Sequence, residues 1–424
     1  MGPAMSNNTT HSVIEAMDGD DLWRDLHDLA VYGRRDDGGV GRLTLDANDV
    51  EARIWLIEQG KHLGCTARVD GAANVFLHRP GLEPDLDPVL VGSHLDSQPA
   101  GGVYDGAFGV LAGLQLLKAL HQCDASTRRP VEVVSWTNEE GVRFAPGTSG
   151  SACFSGTRTL EATRALEDDQ GVTFGDAVDA CLARLDTMDV PRVGFGTPVH
   201  AFLEAHIEQG PVLERGGHSA GVVTGIQGVS WYRMTVNGRA DHAGTTPRAA
   251  RADALEAACA LTMALRELCR DPDDRVRFTV GRFQVHPGSV NTIPDQVVFT
   301  VDLRHPEGAT LDALDARFKG LAAEQWAGCH VTLEHLSRID PVDFPSSVVE
   351  TMEAAASELN IDAPRLVSGA FHDAIHLAGH CPTGMVFIPC ENGVSHHPAE
   401  NITPRDALAG ARLIAATALR LANQ

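Results

Sequence analysis

No apolar stretch in this 424-residue chain reaches the length of a membrane span, so no transmembrane helix is expected. The segment Met1 to Val13 lacks the apolar core of a secretory signal, and Met1-Gly2-Pro3-Ala4-Met5 is set aside from fold reasoning. Basic residues are scarce: 34 Lys and Arg stand against 57 Asp and Glu, a formal charge of −23. Phosphate recognition needs a basic face, which argues against nucleic acid as a partner. The nine cysteines are odd in number, scattered, and never spaced Cys-x-x-Cys. They read as reduced thiols of a cytoplasmic protein and argue against a thiolate metal site. Internal repeats and low-complexity tracts are also missing. What remains is a globular chain, 43% hydrophobic and too long for one ordinary core, which suggests two domains.

Against that background, five residues have metal-ligand chemistry in suitable contexts: His94, Asp105, Glu140, His206 and His396. Imidazole and carboxylate without thiolate suit a hydrolytic zinc or manganese centre with positions open to water. One carboxylate can bridge two ions, so three His and two carboxylates would hold a pair. Pro88-Val89-Leu90-Val91-Gly92 reads as a buried parallel strand that ends where His94 begins. Asp96, two residues on, is expected to accept the spare imidazole N–H of His94 with its carboxylate. Asp105 precedes an almost wholly apolar helix from Gly106 to Leu117, whose N-terminal field favours an ionised carboxylate. A second apolar strand, Val131 to Trp136, runs into Thr137-Asn138-Glu139-Glu140. Adjacent residues diverge, so one Glu can bind metal while Glu139 moves protons.

The chain order is α/β. A helix from about Ala47 to Leu63, with Asp46 or Asn48 as cap and Gly64 as stop, precedes strands alternating with helices through Cys181. That alternation implies a mainly parallel sheet. After Gly216-Gly217 the pattern becomes strand, helix, strand, strand, helix, strand, at about 229–236, 248–270, 276–285, 295–304, 310–323 and 329–336. This is the ferredoxin-like order. The expected organisation is a catalytic domain of residues 14–214 and 337–424 with residues 215–336 inserted. In the strand Val297–Arg304, Phe299, Val301 and Leu303 share one face while Thr300, Asp302 and Arg304 share the other. By itself that reads as a surface arginine paired with Asp302. His242, in the small-residue loop Asp241-His242-Ala243-Gly244, reads equally as a capping-loop histidine or a functional one.

These residues resemble the dinuclear zinc amidohydrolases that include N-carbamoyl-L-amino acid hydrolases, allantoate amidohydrolases and β-ureidopropionases. The aminoacylases and carboxypeptidase G belong to the same larger superfamily. The resemblance runs from Gly38-Gly39-Val40-Gly41-Arg42-Leu43 to Pro398-Ala399-Glu400. It implies a parallel-sheet di-zinc domain with an inserted lid and dimerisation domain, and it implies a homodimer. His206 is the discriminating residue: the peptidase and deacylase relatives have a carboxylate there, whereas the carbamoylase branch has histidine within Glu204-Ala205-His206-Ile207-Glu208-Gln209-Gly210. The pattern Ser-His-x-Pro-x-Glu matches Ser395, His396, Pro398 and Glu400, and so selects His396 over His397 as the ligand. Phe371 stands where the branch usually has Gly, which bears on pocket shape and the identity of the substrate.

The resemblance further implies two divalent ions per subunit, zinc first, with manganese, cobalt or nickel as alternatives. Asp105 would bridge them, Glu140 and His396 completing one position and His94 and His206 the other. Glu139 would be the general base, with Asp96 as a further catalytic residue. His242 would reach the partner subunit's site and stabilise the oxyanion. Arg304 and Asn291 would hold the substrate carboxylate, and Gln209 would contact substrate. The implied reaction is cleavage of the carbamoyl C–N bond of an N-carbamoyl-L-amino acid. Allantoate and N-carbamoyl-β-alanine are the near alternatives. A metallo-aminoacylase or peptidase, or an inactive ligand-binding relative, is more distant.

Overall fold

The computed structural model describes residue 5 and residues 7–424, the side chain of Asn7 excepted. Residues 1–4, set aside above, lie outside that range. The chain forms two compact units, residues 1–224 with 344–424 and residues 225–343.

In the larger unit, β1 (Thr66–Val69), β2 (Val75–Arg79), β3 (Val89–His94), β4 (Val131–Trp136), β5 (Ala201–Ile207) and β6 (Gly221–Ile226) form before the chain leaves. Every residue of β3, β4 and β5 is buried, as expected for strands covered on both faces. Their apolar runs are therefore continuous rather than alternating. The helix Ala47–His62 is capped by Asp46, whose carboxylate accepts from Asp49 N–H, and ends before Gly64 at φ 76°. Asp46, rather than Asn48, is the capping residue. The helix Ala107–Gln122, buried along most of its length, packs on β3 and against the C-terminal helix Pro404–Ala422.

The smaller unit contains β7 (Gly228–Asn237), β8 (Asp241–His242), β9 (Arg277–His286), β10 (Thr292–Ile293), β11 (Gln296–His305), β12 (His330–Ile339) and β13 (Val342–Asp343). Its main sheet has the order β12-β7-β11-β9, antiparallel throughout. Along β11 the odd-numbered side chains are buried and the even-numbered ones half-buried. Val297, Phe299, Val301 and Leu303 thus meet Leu261 and Phe318 of the helices Ala254–Leu268 and Gly308–Ala322 in one core. The first helix starts later than the expected 248. Arg239 pairs with Ala252 and keeps the chain extended, and Asp253 then caps the helix through Leu255 and Glu256 N–H.

The break drawn at 215 lies at 225 instead. Gly217, at φ 71°, ends a short helix, Val212–Gly216, and the chain then returns to the large sheet as β6. The return is likewise later than 337, because β12 runs to Ile339 and β13 pairs with Gly225 and Ile226. Back in the larger unit, β14 (Arg365–Ser368) and β15 (Thr383–Ile388) complete the sheet. Its order is β1-β2-β4-β3-β5-β15-β6, with β14 on β6. The run β4-β3-β5-β15 is parallel and the flanking strands are antiparallel. No helix among the described residues is long and apolar enough to cross a membrane.

Candidate metal centre

The parallel register decides which side chains meet. β3 pairs with β5 at Val91 and Leu203, so three residues on, His94 and His206 leave adjacent strands side by side with ring centroids 5.8 Å apart. β4 pairs with β3 at Trp136 and His94, and Glu139-Glu140 follow immediately. The carboxyl ends of neighbouring parallel strands are where α/β sheets gather ligands.

Each imidazole is fixed by a main-chain carbonyl. His94 Nδ1–H donates to Asp96 O at 2.8 Å and His206 Nδ1–H to Ile207 O at 2.9 Å. Both Nε2 atoms therefore point inward, and neither has a hydrogen-bond partner although both rings are buried. They lie 3.6 and 3.0 Å from Asp105 Oδ1, the shorter contact lacking hydrogen-bond geometry. Asp105 is brought there by Gly106, at φ 65°, where a Cβ would sit 2.3 Å from the His94 ring. Glu400, from the His396 loop, accepts the N–H groups of Tyr104 and Asp105 at 2.9 and 3.0 Å.

The other Asp105 oxygen, Oδ2, is 3.4 Å from His396 Nε2, which is 3.5 Å from Glu140 Oε2. The five expected ligands thus fall into two groups, His94, Asp105, His206 and Asp105, Glu140, His396, with ligand atoms in each within 4.8 Å of one another. His397 belongs to neither; it is exposed and its Nδ1 accepts from Ala399 N–H. Orphaned buried nitrogens, Glu140 Oε1 without a partner, and a donor set of imidazole and carboxylate all fit a divalent metal pair.

Asp96 departs from expectation. Its carboxylate is 3.8 Å from His94 Nδ1; its carbonyl takes that proton instead. β3 ends at His94, so strand alternation no longer directs Asp96. The carboxylate instead accepts Thr44 Oγ1–H at 2.7 Å and the N–H groups of Glu139 and Glu140. Glu139 Oε2 lies 3.6 Å from His94 Nε2, whereas Glu140 reaches His396.

The charges compete strongly. Burial alone would raise Asp105, but the imidazoles of His206, His94 and His396 outweigh it and hold the carboxyl well below its usual range. Burial disfavours the His206 cation, yet Asp105 lifts the group to about 9. Burial, then the charges of Asp373, Glu140 and Asp105, push Glu139 well up. Glu140 rises from burial and from Asp105 and Asp96.

Three residues near the centre were given no role by the sequence reading. Arg42, 2% exposed, donates to the carbonyls of Leu95, Leu29 and Tyr32 and so clamps the segment after His94. Its only signal was membership of the Gly39–Leu43 motif. Gln98 donates to Glu140 Oε2 at 2.6 Å. His372, buried with Nδ1 unpaired, has its ring centroid 4.4 Å from that of His206; Phe371 before it is half-buried.

Residues 90–420 match the model of Peptidase family M20/M25/M40. The chain belongs to that family. This M20-type hydrolase is 39% identical to an N-carbamoyl-L-amino-acid amidohydrolase of Rhizobium meliloti over 93% of this chain and 94% of that one. It is 32% identical to an allantoate amidohydrolase of Bacillus subtilis (strain 168), over 93% and 95%. A solved structure of an amidase of the hydantoinase/carbamoylase family from Burkholderia multivorans is similar at TM-score 0.89 and 41% identity, covering 96% of this chain and 99% of that one.

In the smaller unit of this M20-type hydrolase the remaining expected residues separate. His242 and Asn291 lie together: β8 and β10 pair at His242 and Thr292, and Ala243 N–H donates to Asn291 O. Both lie past the sheet end formed by Asn237 and Gln296. Arg304 is at the other end, opposite Val229 and about 26 Å along β11 at the usual strand rise. There it forms a two-pronged pair with Asp302, at 2.9 Å on each oxygen. Arg304 and Asn291 of one chain therefore do not converge. Gln209, at φ 55°, donates its amide to Asp105 Oδ2 at 2.7 Å.

Proposed function

We propose that the protein hydrolyses the carbamoyl C–N bond of an N-carbamoyl-L-amino acid to the amino acid, ammonia and carbon dioxide. The observation that carries this is His206: an imidazole, not a carboxylate, faces Asp105 Oδ1 beside His94. The likeness to the Rhizobium meliloti amidohydrolase supports the same reading.

Two divalent ions, zinc by preference with manganese, cobalt or nickel as substitutes, would be held by His94, Asp105 and His206 and by Asp105, Glu140 and His396. When bound, such ions supply a water that ionises near neutral pH and a Lewis acid for the carbamoyl oxygen. Glu139 takes the water's proton and returns it to the leaving nitrogen, a role suited to a buried carboxylate of raised proton affinity. Asp96 holds Glu139 and Glu140 apart through their N–H groups. Gln209, beside Asp105, contacts the substrate.

His242 Nδ1 accepts from Gly244 and Thr245 N–H, so its proton sits on Nε2, exposed and ready to donate to an oxyanion. Arg304 offers a planar fork for the substrate carboxylate, exchanging Asp302 for it. A substrate touching Arg304, Asn291 and His242 at once draws Arg304 from one chain and the other two from its partner, which supports a homodimer with shared sites. Nine free cysteines fit a cytoplasmic setting.

The test is a metal-stripped and reloaded enzyme assayed for ammonia release with N-carbamoyl-L-amino acids, N-carbamoyl-β-alanine, allantoate and ureidoglycolate. The reading requires the highest kcat/KM on an N-carbamoyl-L-amino acid; preference for any of the other three by tenfold or more would reassign the substrate.

A further inference from the structure

We infer that the two metal positions load in a fixed order, the His94–Asp105–His206 position first, and that Gln209 and Gln98 set the gap between them. This rests on the two-metal reading above.

The two groups differ in what their ligand atoms are already doing. In the first, His94 and His206 are locked through Nδ1, and their Nε2 atoms are buried without a hydrogen-bond partner. A cation arriving there breaks no hydrogen bond at either Nε2 and orders almost nothing. In the second group every ligand atom faces an amide. Asp105 Oδ2 accepts from Gln209 Nε2 at 2.7 Å and from Ser395 Oγ at 2.8 Å. His396 Nε2 is 3.4 Å from the same Gln209 nitrogen. Glu140 Oε2 accepts from Gln98 Nε2 at 2.6 Å. The orientation of the Gln209 amide is fixed by chemistry, since turning it over would set its oxygen against the Asp105 carboxylate.

His396 adds a conformational difference. Its side chain is 49% exposed and its backbone is left-handed at φ 56°, whereas His94 and His206 leave buried strands. A ligand that must be ordered, and carboxylates that must exchange charge-assisted hydrogen bonds for a metal, both weaken binding. Gln209 reaches two of the three ligand atoms of the second position, so it acts there as an internal cap; Gln98 guards the third.

Calorimetric titration of chelator-stripped protein with zinc alone reads the order directly, with circular dichroism to verify folding. The wild-type chain should bind two ions in separate steps, the second at least tenfold weaker. His396→Ala should keep the tight step and lose the weak one, and His94→Ala should lose the tight one. Gln209→Ala, and Gln209→Met where volume must be kept, should tighten the second step by about ten- to a hundredfold, the worth of one charge-assisted hydrogen bond, and leave the first unchanged. Gln98→Leu should act in the same sense. Two equal steps, or loss of the tight ion in His396→Ala, would overturn the loading order, and a second step no tighter without Gln209 would overturn its part in the gap. Failure of the folded wild-type chain to bind zinc would instead remove the two-metal reading on which the order rests.

Discussion

The carboxylate of Asp96 accepts the backbone N–H of Glu139 on one oxygen and that of Glu140 on the other, at 3.3 and 3.2 Å. Its own carbonyl meanwhile orients His94. One residue thus aligns the proposed base and a proposed ligand just after β4 with a proposed ligand at the end of β3. In Asp96→Asn the carbonyl survives but one acceptor oxygen becomes an N–H donor facing another N–H. Zinc at the His94 position should persist, while kcat falls by about 10–100-fold, the usual cost of losing such support. Metal analysis beside steady-state kinetics tests this; parallel loss of the tight ion would show that the carboxylate, not the carbonyl, holds His94.

Glu139→Gln keeps the size of the side chain but cannot accept a proton from water. Metal content should remain at the wild-type value and turnover should drop by about 10²–10⁴-fold or more. Near-normal turnover with full metal would transfer the base role elsewhere.

The separation of Arg304 from Asn291 and His242 predicts a pattern of complementation. Mixed dimers of His242→Ala with Glu139→Gln chains should regain part of the activity, and so should Asn291→Ala with Glu139→Gln. Arg304→Ala with Glu139→Gln should not, on the proposal that the partner supplies His242 and Asn291 while Arg304 serves its own chain. Recovery in that last pair, or none in the first two, would contradict shared sites.

Protonation of His376 should oppose folding. The ring lies between the hydroxyls of Thr148 and Thr157, at 2.9 and 2.8 Å, and burial followed by the charge of Arg158 brings it down to about 4. Between that value and the usual one near 6.5 the unfolded chain binds more protons, so stability rises with pH across the window and is lost on acidification. By pH 4 the loss reaches about 3 kcal/mol at most. Denaturant titrations at pH 7 and pH 5 should give a smaller difference for His376→Asn than for the parent; an equal difference would exonerate His376.

Legibility followed range. Strands β3 and β4 and the helix after Asp105 could be read because burial on both faces leaves continuous apolar runs. The order of the smaller unit was legible from periodicity, and its boundaries less so, since Gly216-Gly217 ends a helix rather than a domain. The Arg304–Asp302 pair was legible too, because residues two apart on a strand share a face.

By itself, then, the sequence determined the residue types of the centre, the family to which the chain belongs, and the alternation of strands and helices. Only the tertiary structure decided that Asp96 serves through two different groups, and that Arg42 and His372 stand against segments far from them in the chain. It also decided that Gln209 and Gln98 cover the second group of ligands and that Asn291 sides with His242. The reason is physical. Propensity and periodicity act over a turn or a strand, whereas the direction of a side chain beyond a strand end is set by the hydrogen bonds it finds on segments brought there by the sheet.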